Sequence, residues 1–219
     1  MGHAWLDIAA TPAVRAAQER RGSRAAYARH ESAPGAGEEG RHHDRLGPAE
    51  AAFVGARDGF YLATVSETGW PYVQFRGGPP GFLRVLDDRT LGWADFRGNR
   101  QYVSVGNLAG GDGRVALFLM DYANRRRLKV WGRAEAREVG EDAGLAASLA
   151  VPGYPARVER AVLVRVEAFD WNCPQHISPR FTAEEVGEAT APLRQRLATL
   201  EAENARLAML LQRGGVDCD

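Results

Sequence analysis

Between residues 60 and 170 apolar and polar positions alternate in short runs broken by glycine, aspartate and asparagine turns. A two-residue period is the mark of half-buried strands. The pattern predicts strands over 60–66, 70–76, 82–86, 91–96, 114–122, 127–139 and 160–169. Glu67-Thr68-Gly69, Asp87-Asp88-Arg89-Thr90 and Ala123-Asn124 supply the turns, and the run Gly77-Gly78-Pro79-Pro80-Gly81 interrupts the sheet. Short helices are expected over 100–108 and 142–150. The helices are too few for repeated βαβ units, so the fold class is mainly β with flanking helices (α+β), an antiparallel barrel or sandwich.

The two ends follow a helical rhythm. Residues 1–30 read as helix, with Thr11-Pro12 as a capping hydroxyl followed by a proline that starts a helical turn. Residues 31–47 are glycine-rich and aperiodic, a flexible linker, and Pro48 opens a short helix over 49–57. At the other end Thr182 and Glu185 have capping-box spacing, with Phe181 and Val186 placed as a staple. Pro192 restarts or kinks that helix. Beyond it Leu193, Leu197, Leu200, Asn204, Leu207 and Leu211 step alternately by four and three residues. That is a heptad seam with Asn204 at an a position, which favours a parallel two-stranded coiled coil over a helix laid on its own barrel. The expected organisation is an N-terminal helix and linker (1–47), a barrel domain (48–180) and a C-terminal helix (181–219).

Composition narrows the function classes. Of 219 residues 45% are hydrophobic and 26% charged, which excludes wholesale disorder. Lys and Arg (28) balance Asp and Glu (28), so no global charge draws nucleic acid or an anionic membrane. Two cysteines, Cys173 and Cys218, make neither a disulfide framework nor a cysteine-rich zinc site, and no metal is expected. No apolar run reaches bilayer length, and the start lacks a basic segment before a long apolar one. The expected compartment is the cytoplasm.

No dinucleotide fingerprint, P-loop, HExxH or GxSxG motif occurs. Chemistry gathers in three places instead. The segment 74–84 puts Gly77, Gly78, Phe82 and Leu83 between Arg76 and Arg84, where glycine lets a ligand approach the backbone closely. The segment 95–102 takes a strand through a glycine turn into a helix start, flanked by Arg97 and Arg100, and such a start attracts a phosphate monoester. The segment 171–176 combines Trp171, a flat stacking surface, with Asn172 and Gln175, which match the imide edge of a heteroaromatic ring. Arg127 and Lys129 in a later hairpin are expected to face the ligand.

Four stretches, 69–83 (GWPYVQFRGGPPGFL), 94–102 (ADFRGNRQY), 119–122 (LMDY) and 170–176 (DWNCPQH), resemble the pyridoxamine 5′-phosphate oxidase-like flavin-binding split barrels. The resemblance implies a split β-barrel, FMN as cofactor, and a homodimer whose two flavins lie at the interface. By position it implies that Arg84 stands where the oxidases have a phosphate-binding Lys. Ala94 and Asp95 replace a Tyr-Thr pair, and Asn99, Arg100 and Gln101 replace a phosphate-gripping Ser-Arg-Lys. Arg127 replaces a flavin-contacting Gln. It also implies that Trp171, Asn172 and Gln175 reach the flavin from the second copy or close its cleft. Asp95 is unfavourable beside a phosphate and is expected nearer the ribityl chain or ring edge. The substitutions keep FMN while arguing against pyridoxamine phosphate as substrate.

The expectation is therefore an FMN-dependent oxidoreductase acting on a small organic substrate, with NAD(P)H as an example of an electron donor. His176 is the one catalytic acid–base candidate. A non-enzymatic flavin sensor and a haem-binding split barrel are the rival readings.

Overall fold

The computed structural model describes residues 3–32, 43–171 and 174–214. Most of the expected linker, and Asn172, Cys173 and Cys218, lie outside the described residues. The chain forms two compact units, Met1–Ile177 and Ser178–Asp219.

The first unit runs α1 (Ala4–Ala9), α2 (Pro12–Arg20), α3 (Arg24–Ser32), α4 (Pro48–Gly55), β1 (Gly59–Val65), β2 (Pro71–Gly77), β3 (Leu83–Asp87), β4 (Thr90–Phe96), α5 (Val103–Gly110), β5 (Arg114–Asp121), β6 (Arg126–Glu138), α6 (Ala143–Leu149) and β7 (Val158–Trp171). The second holds α7 (Ala183–Gly214). Local chemistry sets many of these bounds. Thr11 Oγ1 accepts the Val14 amide at 3.3 Å and caps α2. A left-handed Gly22 (φ 75°) then separates α2 from α3, where the sequence reads as one continuous helix. Asp142 caps α6 through the Leu145 amide at 2.9 Å. The capping box of α7 forms, with Thr182 N to Glu185 Oε2 at 2.7 Å and Glu185 N to Thr182 Oγ1 at 3.1 Å. The helix then continues through Pro192 as one element.

The seven strands make one antiparallel sheet in the order β2-β1-β5-β6-β7-β4-β3. This is an α+β split barrel. The long strands β6 and β7 bend at a bulge beside Gly132, where a Cβ would run into the Arg165 carbonyl. Aromatic contacts from β1 to β4 and its neighbourhood show how far the sheet curls: Phe60 meets Trp93 edge-on at 5.1 Å and stacks on Phe82 at 5.8 Å. No ladder joins β2 to β3 or β4 among the described residues. Side chains bridge that split.

The inner face is the core, with Leu62, Leu83, Leu91, Leu117, Leu119, Leu128, Val130 and Val164 all at most 1% exposed. A smaller cluster under α6 joins Ala94, Ala146, Leu149 and Ala161. The outer face is also apolar but open. Tyr61, Val65, Val73 and Phe75 are exposed, around clefts of about 440 and 270 Å³. Helix α1 lies on this face, with Trp5 stacked on Trp131 at 3.8 Å. No helix among the described residues is long and apolar enough to cross a membrane.

Candidate functional site

Strand β4 alternates so that Leu91, Trp93 and Asp95 share the inner face. Asp95 ends that row and is 3% exposed. Across the ladder it faces Arg160 of β7, whose Nε and Nη2 donate to Asp95 Oδ2 at 3.1 and 2.9 Å. From the sheet edge on β2, Arg76 Nη1 reaches Asp95 Oδ1 at 3.0 Å and spans the split. Arg160 also contacts Glu159 at 3.1 Å and Glu138 at 3.5 Å. Burial by itself would lower the Arg160 pKa; the hydrogen bonds and charge of Asp95, with Glu138 and Glu159, outweigh it and raise the pKa. Gln74 accepts the Ser104 hydroxyl at 3.2 Å and ties β2 to α5.

A turn follows β4. Arg97 N donates to the Arg157 carbonyl at 2.8 Å, and its Nε lies 3.3 Å from Glu159. Asn99 Oδ1 accepts the Gln101 amide at 3.2 Å, a local turn bond. Arg100 and Tyr102 sit in left-handed backbone (φ 63° and 53°), so α5 begins at Val103, three residues later than the sequence pattern implies. Left-handed non-glycine backbone costs about 1–3 kcal/mol and gathers at ligand sites. The Tyr102 side chain does not cap α5, which leaves its first amides and positive dipole end uncapped by that residue. Gln74, Arg76, Asp95, Gly98, Asn99, Arg100, Tyr102 and Arg160 are among the residues that line one small pocket. Arg76 Nε is buried there without a hydrogen-bond partner. Among the described residues Arg100 makes no ion pair or hydrogen bond. Asp95 is matched by Arg76 and Arg160, and Glu159, which also lines the pocket, by Arg97 and Arg160, so the cationic donors left over are Arg76 Nε and Arg100.

The other expected site residues fall elsewhere. Arg84 lies away from this pocket, where Nη1 and Nη2 donate to the Ser148 and Ala150 carbonyls at 2.7 and 3.2 Å and close the end of α6. Ala94 lies beneath the same helix. Phe82 and Leu83 are core residues, and the Phe82 ring fills the space a Gly78 side chain would need. Gly77 likewise lies against the Phe75 ring. Arg127 and Lys129 stand on the outer face. The Arg127 guanidinium is 5.7 Å from the Phe118 ring, and Lys129 pairs with Asp170 at 2.6 Å and sits over Trp5. Trp171 donates to Glu50 at 2.8 Å, packs edge-on against Phe53 and has Arg126 over its ring. Gln101, Gln175 and His176 are exposed. Sequence reasoning missed Arg160 and Glu159 as members of the pocket, and took in Gln74 and Tyr102 only as the ends of segments 74–84 and 95–102. The available signal was an arginine at an inward position of an otherwise apolar strand.

His43, which falls in the stretch 31–47 expected as a flexible linker, is half-buried. Its Nδ1 lies 3.0 Å from the Phe169 carbonyl, and its ring stacks on His3 at 3.7 Å with 19° between planes. Asp170 is the third member of this group. Imidazole lone pairs lie in the ring plane, so near-parallel rings do not converge on one ion at the ~2.1 Å of a zinc–imidazole bond. Burial first, and then the neighbouring His43, lowers the His3 pKa.

Solved structures similar to the chain include HupZ from Group A Streptococcus (18% identity, 61% of this chain and 98% of that one, TM-score 0.45). An FMN-binding protein from Syntrophomonas wolfei matches at 11% identity over 56% and 83% of the two chains, TM-score 0.44. HutZ, the heme storage protein from Vibrio cholerae, matches at 15% over 58% and 94%, TM-score 0.36. A search among the curated proteins finds no match. The pyridoxamine 5′-phosphate oxidase family model matches residues 46–169, more than half of the chain, and takes in the curled sheet and the turn after β4. The chain belongs to the pyridoxamine 5′-phosphate oxidase family.

Proposed function

We propose that this protein is an FMN-dependent oxidoreductase, with the FMN phosphate at the turn between β4 and α5. The observation that carries the reading is the donor set of that turn: a buried, unpartnered Arg76 Nε, Arg100, and the start of α5. This set suits a phosphate dianion, because charge-assisted hydrogen bonds to a fixed guanidinium are the strong ones. Asp95 would hold Arg76 and Arg160 through its ion pairs, and those pairs would offset the repulsion a free carboxylate exerts on a phosphate. Gln74 and the inner edge of β2 border the same pocket and offer polar contacts to a ribityl chain. When bound, the flavin supplies hydride and electron transfer to or from a small organic substrate, and NAD(P)H is the electron donor to test first.

The functional unit in this reading is a homodimer. The outer sheet face supports it: exposed Tyr61, Val65, Val73 and Phe75 form a larger apolar surface than scattered single residues would. Arg127 and Lys129 lie on that face, and the loop bearing Gln175 and His176 is assigned to the flavin cleft of the pair.

Mass spectrometry of ligand released from purified protein, with a reductant screen, tests the assignment. FMN is the expected ligand. Arg100→Ala should weaken FMN by about 1.5–3 kcal/mol, roughly ten- to a hundred-fold. Unchanged affinity in that variant would remove the phosphate from this turn.

A further inference from the structure

Helix α7 carries an apolar row that none of the described residues of its own unit covers. Leu193, Leu197, Leu200, Leu207 and Leu211 are 71%, 57%, 39%, 56% and 77% exposed, along a helix of 32 residues. They fall on one seam because their steps alternate between four and three residues, and the seam spans about 27 Å at 1.5 Å per residue. In the middle of the row stands Asn204, also exposed.

We infer that α7 pairs with α7 of a second copy as a parallel, in-register two-stranded coiled coil. Two independent features on the seam select that occupant. With Leu193, Leu200 and Leu207 at d, Leu197, Asn204 and Leu211 take a. In a parallel pair each a residue faces its own twin, so the Asn204 carboxamide meets a second carboxamide. In an antiparallel pair a faces d, and the same amide would be buried against leucine without a partner, at a cost of about 1–3 kcal/mol. Charge agrees with the parallel register. Arg196 at g lies five residues before Glu201 at e, the spacing at which g of one helix meets e of the other. Three heptads are marginal alone. The pairing therefore rests on the proposed dimer for its local concentration, with the coiled coil acting as a clasp on copies already held together.

The test reads the clasp separately from the barrel. In the full chain, with Cys173→Ser and Cys218→Ser removing the native thiols, Leu207→Cys places one thiol at d and Ala202→Cys one at the outward f position. Under mild oxidation Leu207→Cys should convert the chain to a disulfide-linked dimer on a non-reducing gel, and Ala202→Cys should not. Adding Glu201→Arg should cut the cross-linked yield several-fold, and adding Arg196→Glu to that should restore it. Sedimentation of the unmodified protein reports the dimer itself. A dimer in which Leu207→Cys cross-links no better than Ala202→Cys overturns the clasp and leaves the barrel dimer intact. A monomer at all concentrations overturns both.

Discussion

The two faces of the curled sheet are built from the same strands and meet opposite fates. On β1, Phe60 and Leu62 point inward and are each 1% exposed, while their outward neighbours Tyr61 and Val65 are 39% and 49% exposed. On β2 the inward row Tyr72, Gln74, Arg76 is polar, and the outward row Val73, Phe75 is apolar. A β-strand at a sheet edge facing water should show the reverse. The difference teaches that one chain buries the inner face and leaves apolar side chains of the outer face exposed, which is where the proposed dimer draws its contact. The polar inward row of β2 exists because it meets Asp95 and Ser104 across the split, where an apolar row would leave those groups unpaired.

The largest effect expected from breaking this arrangement is at Asp95. Asp95→Ala leaves Arg76 without its ion-pair partner and Arg160 with only Glu159 and Glu138, and should cost about 3–5 kcal/mol in a urea melt. A cost below about 1 kcal/mol would mean the cluster is solvated. A paired substitution comes next. Leu62→Ala on the inner face should destabilise by about 2–5 kcal/mol. Val73→Asp on the outer face should leave far-ultraviolet circular dichroism unchanged and turn a sedimenting dimer into a monomer. If Val73→Asp unfolds the chain instead, the outer face is core and the contrast fails.

The smallest effect is expected where α1 covers part of the outer face. The His3 pKa is lowered from its ordinary 6.5, chiefly by burial and then by His43, with Asp170 and Asp7 opposing. A base whose folded pKa is depressed resists protonation in place. Its contribution is therefore fully present above about pH 6.5 and is lost as pH falls through the lower folded value. Acidification from neutrality should loosen α1, read as a change in Trp5 and Trp131 fluorescence that His3→Gln abolishes.

Much of the fold was legible in the sequence because a two-residue period survives any register. The hairpin turns, Gly69 in left-handed backbone and the capping box of α7 all follow from local chemistry. The site was legible only in part. Arg97, Asn99 and Arg100 could be nominated because they flank a glycine turn before a helix, and Arg76 because it borders the glycine-rich run 77–81. The Asp95–Arg160 pair needs the β4–β7 register, which period alone does not set. Arg84 looked equivalent to Arg76 because charge carries no facing; one residue of alternation turned it toward α6. Gly78 and Phe82 looked like a ligand cradle, and their small-against-large packing fills the core.

The claim that this turn holds the phosphate of FMN is tested most directly by comparing FMN with riboflavin, which lacks only the phosphate, in fluorescence-quenching titrations of the wild type and Arg100→Ala. The wild type should bind FMN more tightly than riboflavin by at least roughly ten-fold, the worth of one charge-assisted hydrogen bond. Arg100→Ala should lose most of that preference by weakening FMN alone. Equal affinity of the wild type for the two flavins would remove the phosphate from this turn.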